Sequence, residues 1–209
     1  AVGMSILEKN GNAFDAAVAT GFALQVVEPH LNGPGGEVPL ILCPNEESPI
    51  VICGQGVAPN SATLKTFSDM NLNIVPGSGL LPAVVPGAFD AWMLLLHNYG
   101  TMSLRTVLEP AISIATKGYP LVPNIINTIK SVEELFKTEW TSSAEIYLPK
   151  GVLPSIGDFF TNKNMAKTYI RIIDEAENKS KDREEQIKHA RLTWSQGSVS
   201  YTHLRAHET

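Results

Sequence analysis

Apolar residues along this chain fall into blocks whose spacing predicts mostly helices, with a few short strands. Between Ala13 and Val27, eleven of fifteen residues are apolar. The exceptions, Asp15, Thr20, Gly21 and Gln25, are spread around a helix rather than gathered on one face, so this helix is expected to be packed on most sides. Asn12 is placed to cap it, with Asp15 three residues on, where a carboxylate suits the positive helix end. Pro29 ends it near Glu28. Next comes Asn32-Gly33-Pro34-Gly35-Gly36, whose glycines predict left-handed backbone angles or a close approach by another group. That turn reads either as a tight connection into a strand or as the wall of a ligand pocket.

Further on, 38–42 and 50–53 are β-prone runs separated by a Pro/Asn/Glu/Ser turn cluster, which predicts a hairpin. Pro39 places its strand at an edge or a strand start. After an irregular loop over 54–59, Asn60 or Ser61 is expected to cap a helix over about 62–70. Leu80 to Val85 reads as a buried strand. Helices follow over 88–98, closed by Gly100, and over 103–117, capped by Ser103 and stopped by Gly118. Within the latter, Pro110 marks either a kink or the true first turn. The remainder is predicted helical over 123–137, 163–178 and 181–196, with a looped stretch from Thr138 to Phe160. Opposite charges at i, i+3 and i+4 around Asp182, Glu185, Lys188 and Arg191 describe a solvated helix face.

Composition narrows the function classes. The 209 residues are 44% hydrophobic and 18% charged, the balance of a chain that builds a sizeable core. A net charge of −5 argues against nucleic acid and anionic membrane surfaces as partners. No apolar run is long enough to cross a bilayer. Cys43 and Cys53 are too few for a disulfide framework and are expected to be buried free thiols. The chain opens on Ala1-Val2-Gly3-Met4 as if inside a helix already under way, which leaves localisation open. Residues 198–209 change character and are expected to be a non-native tail, similar to the translation of a sequencing adapter.

Familiar catalytic signatures are missing: there is no G-x-x-x-x-G-K-[ST], H-E-x-x-H or G-x-S-x-G. His30, His97 and His189 are far apart in sequence and read as structural. His203-x-x-x-His207 has helical ligand spacing but lies in the tail and is set aside. No metal or cofactor is expected. From the residues alone, the chain is an α/β domain with a glycine-lined loop.

Ordered motifs extend that picture. Glu8-Lys-Asn-Gly-Asn-Ala-Phe-Asp-Ala-Ala-Val-Ala19, Val27-Glu-Pro-His30 and Gly33-Pro-Gly-Gly36 resemble the γ-glutamyltranspeptidase family pattern GGNAxDAAVA followed by xEPxxxGxGGGGF. The resemblance continues through Ala58-Pro59, Val84-Val-Pro-Gly-Ala-Phe-Asp-Ala-Trp92, Tyr99-Gly100, Leu108-Glu-Pro-Ala-Ile-Ser-Ile-Ala115 and Gly118-Tyr-Pro-Leu-Val-Pro123. It implies an N-terminal-nucleophile hydrolase with an αββα sandwich, here incomplete and with a helix-rich C-terminal part. It also implies a self-cleaving precursor. The new N-terminal Thr of the small subunit attacks an amide, and its own α-amine acts as base. Residues 1–197 correspond to the front of the large subunit, so no catalytic residue is expected in this chain; Tyr201-Thr202-His203 comes too early to be the nucleophile.

The same resemblance assigns substrate contacts. The family places an Arg, which pairs with the glutamyl α-carboxylate, in the loop before Ala-Pro. Here that loop is Cys53-Gly-Gln-Gly-Val-Ala-Pro59, and Gln55 stands at the Arg position. The glycine run is cut short by Glu37. Gln55, Gly35, Gly36 and Glu37 are therefore the expected substrate-binding residues. Exchanging a charge-assisted contact for a neutral one weakens recognition of a free amino-acid head by about tenfold or more. The expected activity is that of a γ-glutamyltranspeptidase-like amide hydrolase or acyl transferase on a small-molecule amide. The Gln55 exchange points to a relative acting on an amide other than a γ-glutamyl one, such as an oxamate-like or acylated molecule, unless Gln55 is an ordinary loop residue. The expected protein partner is the small subunit of the same precursor. A non-catalytic structural paralogue on the same scaffold is the alternative class, and a Gly-adjacent Thr further along the gene discriminates the two.

Overall fold

Asn12 fixes the start of the long helix as its chemistry requires. In a computed structural model describing residues 1–45 and 47–203, with backbone alone for 201–203, α1 (Val2–Glu8) leads into α2 (Ala13–Val27). Asn12 Oδ1 accepts from the amides of Phe14 and Asp15 at 2.9 Å, and Asp15 Oδ2 accepts from the Asn12 amide at 2.9 Å. This reciprocal box satisfies amides that the first helical turn otherwise leaves open. Most of α2 is buried, including Val18, Ala19, Phe22 and Val26, as its all-round apolar pattern implies.

The hairpin consists of β1 (Val38–Leu42) and β2 (Ile50–Gly54), antiparallel with Val38 opposite Gly54 and Leu42 opposite Ile50. A short α3 (Leu64–Asp69) follows, then α4 (Ala88–Tyr99) and α5 (Leu104–Lys117). β3 (Tyr119–Pro120) later pairs antiparallel with β4 (Phe159–Phe160). Between them lie α6 (Pro123–Ser131), α7 (Glu133–Thr138), α8 (Thr141–Tyr147) and a 3₁₀ turn at Pro149–Gly151. The chain then runs through α9 (Lys163–Lys179), α10 (Arg183–Ser195) and α11 (Ser198–His203). This is a helix-rich α+β arrangement with two small sheets.

The core is threaded by a line of rings from four helices. Tyr169 of α9 meets Phe22 of α2 edge-on at 5.5 Å, Phe22 meets Phe89 of α4 at 5.6 Å, and Phe89 stacks on Trp194 of α10 at 4.7 Å. The buried Tyr169 hydroxyl donates to Gln25 Oε1 at 2.9 Å, so its polar tip is satisfied inside the core.

Arginines fasten the C-terminal helices to this core. Arg105 forks onto Glu177 at 2.8 and 2.7 Å and reaches Asp174 at 2.9 Å. Arg183 donates to the carbonyls of Met102 and Leu96 at 2.8 and 2.6 Å. Arg191 forms a bidentate pair with Asp90 at 2.6 and 2.9 Å. Because this last pair is only partly buried, Arg191→Ala is expected to lower stability by about 1 kcal/mol. Arg191→Lys should recover less than half of that, since an ammonium cannot span both oxygens. Thermal unfolding of the two variants of the full-length protein checks both values.

Several sequence expectations are corrected. Leu80–Val85 forms no strand; Leu80, Val84 and Val85 are exposed, and the Val85 amide donates to the Val57 carbonyl at 2.9 Å. A strand needs a neighbour along its length, and Pro82 and Pro86 withhold two donors from any such ladder. Thr63, not Asn60 or Ser61, caps α3. The helix over 123–137 breaks at Val132, and the stretch read as loop contains α8. Pro110 lies inside α5. Both cysteines are exposed rather than buried. Cys53 lies on the outer face of the hairpin with Pro39, Ile41 and Val51, away from the helices, and Cys43 lies beyond the end of β1.

Candidate functional site

Three loops cross at the start of α4, and glycines make the crossing possible. The Gly36 carbonyl accepts from the amides of Gly87 and Ala88 at 3.2 and 3.0 Å, satisfying donors at a helix end that has no side-chain cap. A Cβ on Gly87 would lie 2.5 Å from the Gly54 carbonyl oxygen. One on Gly54 would lie 2.2 Å from the Val38 oxygen and 2.6 Å from Ala91 Cβ, and one on Gly56 would lie 1.8 Å from the Val85 oxygen. No L side chain fits at those separations, so 33–37, 54–57 and 84–88 are in direct backbone contact.

Gln55 stands between two of these glycines with its side chain exposed, and its Oε1 accepts from the Cys53 thiol at 3.4 Å. Glu37, directly after Gly36, is also exposed. The crossing at Gly87 thus brings the Gln55 loop and the Gly35-Gly36-Glu37 turn to the same helix end. The glycines of the turn depart from one of the two expected alternatives, the left-handed backbone. None of Gly33, Gly35 and Gly36 has a positive φ, and open space surrounds the Cβ positions of Gly33 and Gly35. The turn closes by a hydrogen bond from the Gly36 amide to the Gly33 carbonyl at 3.0 Å, which right-handed backbone angles allow. Close approach by another segment does hold at Gly36, through the Gly87 and Ala88 amides, but the positions with no room for a Cβ are Gly54, Gly56 and Gly87. Their signal in the sequence was the Gly-Gln-Gly spacing and the Pro86-Gly87 pair ahead of an apolar helix.

The other end of α4 is held by Asp15. Its carboxylate, buried in α2, accepts from the Thr101 amide and hydroxyl at 2.9 and 2.8 Å and from the Met102 amide at 3.0 Å. Burial pushes this carboxyl up, but the donors of Asn12, Met102 and Thr101 outweigh it and hold it below the usual carboxylate range. Asn12 Nδ2 adds a bond to the Tyr99 carbonyl at 2.7 Å. The family-like stretch around Asn12 and Asp15 therefore fixes where α4 ends, and through the helix, where its start presents the crossing loops.

The histidines remain apart. His30 Nδ1 lies 3.6 Å from Glu28 Oε2, His97 Nδ1 lies 2.7 Å from Asn98 Oδ1, and His189 lines a cleft of about 470 Å3 between α9 and α10. Among the described residues there is no group of three or more His, Cys, Asp and Glu side chains that could hold a metal. His207, the second member of the tail spacing, lies with the rest of 204–209 outside the described residues.

This architecture has known counterparts, and a family model for gamma-glutamyltranspeptidase matches residues 1–180. The chain belongs to the γ-glutamyltranspeptidase family. It is 36% identical over 167 residues to the glutathione hydrolase-like YwrD proenzyme of Bacillus subtilis (strain 168), a match covering 78% of this chain and 31% of that protein. Its structure resembles that of LmbA2991, with a TM-score of 0.94 and 48% identity, covering 98% of this chain and 35% of the other. A cephalosporin acylase from Bacillus halodurans superposes with a TM-score of 0.82 at 30% identity, covering 96% of this chain and 36% of the acylase. The chain spans about a third of the length of that Bacillus subtilis protein. Proteins named as a hydrolase and as an acylase are thus both among its matches.

Proposed function

We propose that this chain is the scaffold part of a self-processing amide hydrolase of the γ-glutamyltranspeptidase family, formed by residues 1–197, with 198–209 a non-native tail. The nucleophilic Thr belongs to the remainder of the precursor. Its hydroxyl attacks the substrate carbonyl, its α-amine takes the proton, and backbone amides steady the oxyanion until water releases the acyl group. The glycine crossing supports this reading for the present chain: Gln55, Gly35, Gly36 and Glu37 lie around one helix end, and we read them as the wall that a substrate meets. The proenzyme name of the Bacillus relative supports a second subunit cut from the same chain.

That second subunit also accounts for the bare side of the hairpin. Ile41 and Val51 are 79% and 65% exposed on its outer face, beside Pro39 and Cys53. Paired apolar side chains of this kind are ordinarily covered in a folded protein. In the αββα sandwich proposed here, the small subunit supplies the covering sheet. The isolated chain is accordingly expected to hydrolyse no amide and to lack cooperative, monomeric thermal unfolding.

Gln55 in the Arg place makes a γ-glutamyl amide a poor substrate. Turnover of a γ-glutamyl anilide by the full-length protein tests this. Rates well below those of true transpeptidases are expected, and comparable rates would contradict it.

A further inference from the structure

Charge along the site-forming part of the chain is one-sided. Between Lys9 and Arg105 the sequence contains a single Lys or Arg, Lys65. That one is taken up on α3 by Asp69 at 2.6 Å. The three segments that cross at Gly87 therefore contribute no cation of their own, while Glu37 places a carboxylate directly beside the Gly36 junction. The base that reaches the first turn of α4 from elsewhere, Arg191, is occupied in both directions of its fork by Asp90. Gln55 is neutral and exposed, and with its Oε1 receiving the Cys53 thiol it has N–H donors to offer.

These facts set the sign of the group that the wall accepts. A carboxylate brought to Gln55 would give up water, gain only neutral donors, and meet Glu37 at like charge. An ammonium would gain Glu37 with no Lys or Arg from the three crossing segments to oppose it. Resting on the amide-hydrolase reading, we infer that these loops select amides whose acyl group carries an amine and no carboxylate. Glu37 takes the ammonium and Gln55 donates to a neutral acceptor. This excludes oxamate-like acids from the substrate range and favours aminoacyl-type amides lacking the α-carboxylate.

Three anilides that differ by one group each test the inference on the full-length, processed protein: γ-aminobutyryl-, γ-glutamyl- and glutaryl-p-nitroanilide. In each, water adds across the C–N bond and p-nitroaniline leaves, giving one optical readout. The expected order of kcat/KM is γ-aminobutyryl, then γ-glutamyl, then glutaryl, with steps of about tenfold. Gln55→Arg should shift the ratio of γ-aminobutyryl to glutaryl turnover by about tenfold or more toward the acid. Glu37→Gln should raise KM for the γ-aminobutyryl substrate more than it lowers kcat. Glutaryl turnover equal to γ-aminobutyryl turnover, or a ratio unmoved by Gln55→Arg, would overturn the charge selection while leaving the amidase reading intact. Turnover of none of the three would overturn that reading and this inference together.

Discussion

Replacing Asp15 by Ala should destabilise the protein by about 3–5 kcal/mol, the largest single-residue loss expected away from the chemistry. The carboxylate is fully buried and accepts from Asn12, Thr101 twice and Met102. Its removal leaves these partly buried donors without their acceptor, each orphan costing about 1–3 kcal/mol. Asp15→Asn keeps the shape and one acceptor oxygen, so it should retain part of the stability. The same group sets a pH dependence. Its carboxyl titrates below the ordinary range in the folded protein, so its contribution is complete above the unfolded value of about 3.9 and is lost as pH falls through the folded value. Unfolding midpoints of wild type and Asp15→Asn, measured on the full-length protein, should therefore converge as the solution is acidified. A constant gap down to strongly acidic pH would contradict this role.

Single methyl groups at the loop crossing are expected to have the second largest effect. Gly54→Ala and Gly56→Ala place Cβ atoms 2.2 and 1.8 Å from the backbone oxygens of Val38 and Val85. Backbone yields less readily than a side-chain tip, so each substitution should cost about 2–3 kcal/mol and push the Gln55 loop off the start of α4. Substrate KM should rise along with the loss of stability. Gly33→Ala and Gly35→Ala provide the contrast. Both sites are open and lack a positive φ, so both changes should fall within about 0.5 kcal/mol of wild type. If the turn glycines proved the more sensitive set, the crossing would have been placed on the wrong residues.

Much of the frame was legible in the sequence because its causes are local. Asn12 and Asp15 carry their capping chemistry within one turn of helix, and Ser103 caps α5 where its hydroxyl can accept from Thr106, at 3.2 Å. Gly118, at φ 89°, stops α5 for a reason visible in one residue. What failed depended on neighbours. Leu80–Val85 has the composition of a strand, but pairing belongs to whatever lies alongside, and here the Val85 amide meets the Val57 carbonyl without a ladder following. The exposure of Cys53 follows from which hairpin face meets the helices, a property of packing rather than of the local run. The glycine turn at 33–36 looked like the strained one because its glycines are dense. At this crossing the glycines that have no room are Gly54, Gly56 and Gly87, and only the meeting of distant segments reveals it.

The scaffold reading stands on a nucleophile created by self-cleavage outside residues 1–197. Intact-mass and N-terminal analysis of the purified full-length gene product measures this directly. Two associated polypeptides are expected, the larger containing this chain and the smaller beginning with Thr. A single uncut polypeptide, or a cleaved one whose second piece starts with any other residue, would contradict the account.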